Sequence, residues 1–365
     1  MNTISVSSKE RNYQIHVGKD IRHQSGGFLK EFSYSKVAII TDENVAKLYL
    51  DDVRKSLEPY FEVEELIVPA GELSKSLHQF EEIQSKLIEK GFDRHSALIA
   101  LGGGMIGDLV GFVASTYMRG IGFIQMPTTL LAHDSSIGGK VAINFDGTKN
   151  LIGQFYSPEL VIYDVDTFNT LNDRELRSGF AEMVKHGFIE SKDFLTTIKN
   201  DMSESINFKD KEFINILAES ILIKKRYVQT DEYEKSIRRY LNLGHTWGHA
   251  IEASSKDSEL RHGECVMMGM LFALYLSDQM NGQENQLFND SIIAWIRKLN
   301  FQLIPRESKL DEWLYQMQRD KKNSEHNISF VLLESIGKPY SMNLDSDVVR
   351  RHLESYLKLM KDEVV

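Results

Sequence analysis

A chain of 365 residues exceeds what one ordinary hydrophobic core organises, so two domains are expected. With 42% hydrophobic and 26% charged residues the composition is that of a globular protein, and a net charge of -10 speaks against a nucleic-acid binder. A lone cysteine, Cys265, excludes an internal disulfide, and the opening MNTISVSSKERNYQIHV lacks the apolar core of a signal peptide, so a reducing cytoplasm is the expected compartment.

In chain order, the first candidate strands are Lys36 to Thr41 (KVAIIT) and Val63 to Val68. Ala70 to Lys75 follows the second, with Ser74 as the expected cap of a helix. In that helix Leu77, Phe80, Ile83, Leu87 and Ile88 recur at helical spacing until Gly91 stops the run. Further strands are Ala97 to Leu101, Gly122 to Met126 and Leu160 to Tyr163. Strands alternating with helices predict an α/β fold: a Rossmann-like parallel sheet domain over residues 1–170. From about Leu171 a succession of helical patterns, with one late strand at Ile328 to Leu333, predicts a mainly helical domain over residues 171–365. Ala97 to Ala114 carries Asp108 as its sole charge, but three consecutive glycines break it into strand, turn and helix, and no membrane span is expected.

Eleven of the 24 glycines fall between Gly102 and Gly153. Among them Gly102-Gly103-Gly104-Met105-Ile106-Gly107 satisfies G-x-G-x-x-G after a strand and at the start of a helix, where bare backbone and a helix N-terminus suit a pyrophosphate. The loop follows the third candidate strand rather than the first, and no acidic residue stands about twenty positions later. A dinucleotide lying across several strand ends would use the Gly71, Glu72 and Lys75 segment as well.

Three later segments place polar chemistry on apolar faces. Glu182, Lys185 and His186 share one helical face, as do Asn242, His245 and His249, and His262-Gly263-Glu264 opens the apolar run Cys265 to Leu276. One carboxylate and two histidines, Glu182, His245 and His262, form a three-ligand set with an open position, suited to catalytic zinc. His245 and His249 at i, i+4 are an alternative chelating pair, and His186 is expected to be a partly exposed structural histidine. Lys224 and Lys225 continue the stripe of Phe213, Leu217 and Ile221, so at least one should face inward and meet an anion. With Arg119, Lys140 after Gly138-Gly139, and Lys149-Asn150 at the end of a polar loop, they suggest a local phosphate site.

GGGMIGDLVGF, YMRG, PTTLL, DSSIGGK, GFAEMVKHG, LNLGHTWGHAIE and HGE occur in this order. Together they make the chain resemble the 3-dehydroquinate synthases of the shikimate pathway, from about Val37 to the Asp320-Asn323 segment. The resemblance implies a Rossmann-like domain followed by a helical one, in a homodimer that holds NAD and zinc, with cobalt as a substitute metal. It implies conversion of 3-deoxy-D-arabino-heptulosonate 7-phosphate (DAHP) to 3-dehydroquinate with loss of phosphate. By position, Glu182, His245 and His262 resemble the metal ligands. The dinucleotide would meet Asp42, Asn44, Gly71, Glu72, Lys75, Gly103, Gly104, Met105, Ile106, Gly107, Asp108, Thr128, Thr129, Lys140 and Lys149, with Thr167, Phe168, Asn169 and Thr170 nearby. Substrate contacts would be Asp134, Lys140, Asn150, Lys185, Lys224, Arg238 and Asn242, either Lys321 or Lys322, and Arg119 from the neighbouring subunit. His249 and Glu234 match proton-transfer positions, and Lys140 and Lys185 are grouped with them as catalytic. Two departures stand out: Ala132-His133-Asp134 is one residue shorter than the common pattern, and Thr148 replaces a usual glycine. The rival readings are a polyol or glycerol-phosphate dehydrogenase, a related sugar-phosphate cyclase and a non-catalytic sensor.

Overall fold

Sheet order follows from which strands are apolar on both faces. The computed structural model describes residues 1–9, 11–206, 208, 211–255, 260–283, 286–319 and 327–362. It divides into two compact units, Met1–Leu171 with Asp210–Tyr233, and Asn172–Lys209 with Glu234–Val365. The first unit contains β1 (Asn2–Ser7), β2 (Asn12–Gly18), β3 (Val37–Asp42), β4 (Val63–Val68), β5 (Ala97–Gly102), β6 (Gly122–Pro127), β7 (Lys140–Phe145), β8 (Thr148–Phe155) and β9 (Leu160–Asp164). Seven of them form one sheet in the order β1-β2-β9-β6-β5-β3-β4, while β7 and β8 make a separate hairpin. β1 and β2 are antiparallel, and every other pairing in the large sheet is parallel. β3, β5 and β6 are buried along their whole length, which explains their unbroken apolar runs.

Alternate side chains of these strands enter two cores. Ala38, Ile40, Leu98 and Ala100 pack with Ile83 and Leu87 of the Leu77–Glu89 helix and Leu109 and Val113 of the Gly104–Thr116 helix. Val37, Ile39, Ala97 and Ile99 pack on the opposite face with Leu29, Val53 and Leu57. The chain leaves β3 toward β4 on one side, whereas β5, β6 and β9 lie on the other. The strand order therefore reverses between β3 and β5, the position where open parallel sheets bind ligands at their carboxyl ends.

The helix Lys211–Thr230 belongs to the first unit, packing on β1 and β2, a return that the expected division at residue 170 does not contain. The Leu77–Glu89 helix is capped by Ser76, whose Oγ accepts from the Gln79 N–H at 3.2 Å, and not by Ser74. The Ser74 hydroxyl instead donates to the Pro69 carbonyl at 2.6 Å, tightening the turn after β4.

In the second unit the helices Asp173–Glu190, His245–Ser254 and His262–Asn281 pack together beside the antiparallel hairpin of β10 (Asn327–Ser335) and β11 (Lys338–Asp345). Trp247 anchors this core, with ring centroids 5.4 Å from Phe272 and 5.5 Å from Trp313. Gly263 decides how closely two helices approach: a Cβ there would lie 1.9 Å from the Ser178 carbonyl oxygen. Its N–H donates to Ser178 Oγ at 3.0 Å, so the start of the third helix is fastened to the first. No helix among the described residues is long and apolar enough to cross a membrane.

Candidate active site in two parts

The first unit gathers its polar groups at the carboxyl ends of the parallel strands. β5 ends at Gly102, and Gly103 caps the Gly104–Thr116 helix. A Cβ on Gly103 would lie 3.0 Å from Thr129 Cγ2, so glycine keeps the backbone open beside the loop after β6. Asp42 closes β3 and caps the next turn, accepting from the N–H groups of Asn44 at 2.9 Å and Val45 at 3.2 Å. Behind β4, Lys75 is only 4% exposed, and its ammonium donates to Asp108 and to the Asn150 side chain. Burial raises the Asp108 carboxyl above its usual range, and Lys75 opposes that rise. Asn150 is held at φ 53°, its N–H donating to Asn144 Oδ1, and Asn144 donates in turn to Glu72 at 2.9 Å. Asn144, absent from the expected set, thus ties the Glu72 loop to the β7–β8 hairpin. Thr128 is buried and Thr129 half-buried, whereas Ile106 and Phe168 point into the core and offer a ligand only backbone. Thr167 is likewise buried, its hydroxyl donating to the Asp164 carbonyl, while Asn169 and Thr170 are exposed.

Lys224 is the inward lysine of the predicted pair, buried on the Lys211–Thr230 helix with Lys225 half-buried beside it. Its ammonium lies 2.7 Å from Asp134 Oδ2 and also donates to the Asp134 carbonyl. His133, fully buried between the Leu130 carbonyl at 2.6 Å and Ser220 at 3.2 Å, holds the Asp134 turn against that helix. Lys140 and Lys149 are exposed, and Lys149-Asn150 begin β8 rather than ending a loop. Arg119 is exposed at φ 69°, following Met118 at φ 48°. Two successive left-handed residues that are not glycine store strain of the kind found at functional turns. Lys321 and Lys322 lie outside the described residues.

In the second unit Glu182, Lys185 and His186 are all essentially inaccessible, so His186 is a core histidine and not a partly exposed one. Lys185 donates to Glu182 Oε2. The other carboxylate oxygen, Oε1, lies 3.5 Å from His245 Nε2 and 3.3 Å from His262 Nε2. Donors bound at 2.0–2.1 Å around a tetrahedral zinc stand about 3.3–3.4 Å apart, so Glu182 Oε1 is at the separation from each imidazole that a shared ion requires. Ligand atoms of His245, His249 and His262 also lie within 4.8 Å of one another, which keeps His249 beside the same position. Burial holds the His245 imidazole well below its usual 6.5 despite Glu182, and therefore neutral, as a metal ligand must be. For His262 burial also opposes charge, but hydrogen bonds that it donates to Glu182 and Glu252 outweigh it and raise the group to about 10.

Beside the histidines a cavity of about 290 Å³ is lined by Glu234, Arg239, Asn242, His245, Thr246, His249 and residues of the β10–β11 hairpin including Ser329, Ser341 and Asn343. Glu234, at φ 56°, accepts from Asn242 Nδ2 at 2.7 Å. Arg238 is buried and does not line this cavity; Arg239 does. The hairpin residues carried no sequence signal, because a serine or asparagine alternating along a strand reads as a solvated face.

The family model for the 3-dehydroquinate synthase N-terminal region matches residues 65–178, and that for the C-terminal region matches residues 179–323. The chain is 40% identical over 363 residues to a 3-dehydroquinate synthase of Oceanobacillus iheyensis, covering 99% of both chains. It belongs to the 3-dehydroquinate synthase family. Among solved structures it resembles a 2-deoxy-scyllo-inosose synthase complexed with carbaglucose-6-phosphate, NAD+ and Co2+, with TM-score 0.87, 25% identity and coverage of 96% of this chain and 98% of that one. It shares its fold also with a 2-epi-5-epi-valiolone synthase from Streptomyces hygroscopicus with NAD+ and Zn2+ bound, with TM-score 0.86, 23% identity and coverage of 98% and 99%. Both family models together span the glycine loop of the first unit and the histidine cluster of the second.

Proposed function

We propose that this protein is a lyase of the shikimate pathway that converts DAHP to 3-dehydroquinate and phosphate, with NAD and a divalent metal, zinc or cobalt, as cofactors. The observation that carries the reading is the approach of Glu182 Oε1 to both His245 Nε2 and His262 Nε2, 3.5 and 3.3 Å away, in a member of this family. When bound, the metal polarises substrate oxygens and NAD takes up and returns a hydride at one substrate carbon. Lys185 donates to Glu182 Oε2, which orients the buried carboxylate and leaves Oε1 directed at the histidines to hold the ion. His249 and Glu234, both at the cavity, are suited to move protons to and from substrate oxygens, and Asn242 to orient a hydroxyl or carboxylate.

In the first unit, the backbone of Gly103 and Gly104 with Asp42, Glu72, Lys75 and Asp108 borders the reversal of strand order and supplies the dinucleotide site. Lys140, Asn150 and Lys224 with Asp134 are assigned to the substrate phosphate. The strained, exposed Arg119 is assigned to a second copy's substrate in a homodimer, and the cytoplasm is the proposed compartment. A polyol dehydrogenase would need the dinucleotide and metal groups but no buried Lys224. The test is product identity: purified protein given DAHP and NAD+ should yield 3-dehydroquinate and one phosphate per molecule, and none after chelation. A different carbocycle, or no ring closure, would refute the assignment.

A further inference from the structure

The metal cluster has an outer layer that the reading above does not use. His262 Nδ1 lies 3.0 Å from Oε2 of Glu252, whose side chain is 19% exposed. Glu252 sits on the helix His245–Ser254, seven residues after His245 and so close to two turns along the same face. His262 begins a different helix. One short helix therefore delivers a metal-facing imidazole from its first turn and a carboxylate from its last, both directed at the same cluster. We propose that Glu252 is a positioning residue of the metal site, accepting the Nδ1–H of His262 so that the Nε2 lone pair faces the ion. This rests on the reading of Glu182, His245 and His262 as ligands.

An imidazole ligates only through an unprotonated nitrogen, and in water its proton can reside on either one. A carboxylate at Nδ1 removes that choice. It stabilises the tautomer protonated at Nδ1, fixes the ring plane and makes Nε2 a stronger donor. The same Nε2 is the atom 3.3 Å from Glu182 Oε1, so the ring is aimed correctly from both ends. His245 receives the equivalent contact from a neutral group, with Nδ1 3.2 Å from the Leu243 carbonyl oxygen. The two histidines are thus oriented by acceptors of different strength, and only that of His262 is charged.

The experiment measures zinc affinity by competition with a chromophoric chelator, using full-length wild type, Glu252→Ala, Glu252→Leu and Glu252→Gln, with metal-free melting temperatures recorded in parallel. Removing an outer-layer carboxylate should weaken zinc binding about 10- to 100-fold in Glu252→Ala. Glu252→Gln, whose amide oxygen still accepts from Nδ1–H without charge, should recover part of that loss. A merely structural role would lower the melting temperature and leave the affinity of the folded protein unchanged. Wild-type affinity in Glu252→Ala overturns the proposal; should that variant fail to fold, wild-type affinity in Glu252→Leu, which keeps the bulk but offers no acceptor, does so. If wild type itself binds no zinc, the ligand assignment fails instead, a result distinct from either.

Discussion

At the scale of single residues, chemistry and burial must be reconciled by specific partners. Glu182 and Lys185 are both 1% exposed, and the ion pair between them, with the histidines in reach of Glu182, offsets the cost of that burial. Glu182→Gln removes the ligand charge with little change of shape. Bound zinc and turnover should fall together, by at least about 100-fold, while far-ultraviolet circular dichroism stays that of wild type. Full zinc occupancy in that variant would remove Glu182 from the ligand set. Lys224 offers a second case, since its ammonium is buried against Asp134. A charge-assisted hydrogen bond is worth roughly 1.5–3 kcal/mol, so Lys224→Met should weaken DAHP use about 10- to 150-fold. NAD+ affinity by titration should change only a few-fold; collapse of NAD+ binding with DAHP binding intact would reassign Lys224 to the dinucleotide. Much of this was legible because polar residues on apolar helical faces are conspicuous. Glu252 shares that helical spacing with His245 and His249 and was accessible to the same reasoning, but its partner His262 lies on another helix. Asn144 had no such signal: its role follows from the hairpin that brings it to Glu72 and Asn150.

At the scale of elements, the strands buried on both faces were the readable ones. β3, β5, β6 and β9 stand where the apolar runs predicted them, to within a residue at either end. β1 alternates buried and exposed along NTISVS and carries too little apolar residue to announce itself. β7 and β8 are absent from the expected strands, although Asp146-Gly147, at φ 48° and 72°, has the conformation and composition of a two-residue hairpin turn. The helix starting at His262 depends on its second residue. Gly263→Ala would place a methyl 1.9 Å from the Ser178 carbonyl oxygen, and helix backbone cannot yield as a flexible side chain does. Overpacking of this kind costs about 1–3 kcal/mol or more. Because His262 and Glu182 ride on the two helices forced apart, zinc affinity should fall along with the melting temperature. An unchanged melting temperature and an unchanged zinc affinity together would mean that the contact between these helices is not what sets the site.

At the scale of the whole molecule, the first unit breaks off after Leu171, and the helix Lys211–Thr230 then returns to it. Periodicity identifies a helix and its apolar stripe, not the unit on which that stripe packs. The return matters for the proposed function because it carries Lys224 to Asp134, so the phosphate site proposed for the first unit includes a segment from beyond the boundary. On the proposed function, the dinucleotide, metal and phosphate groups serve one catalytic cycle in which hydride leaves and returns to the same carbon. The decisive measurement is stoichiometric: metal-loaded protein is given DAHP in large excess over NAD+, with phosphate and NADH absorbance followed together. Phosphate release should run far past one equivalent of the NAD+ supplied, without accumulation of NADH. NADH rising one-for-one with substrate consumed, and stopping when NAD+ is exhausted, would contradict the account and identify a dehydrogenase.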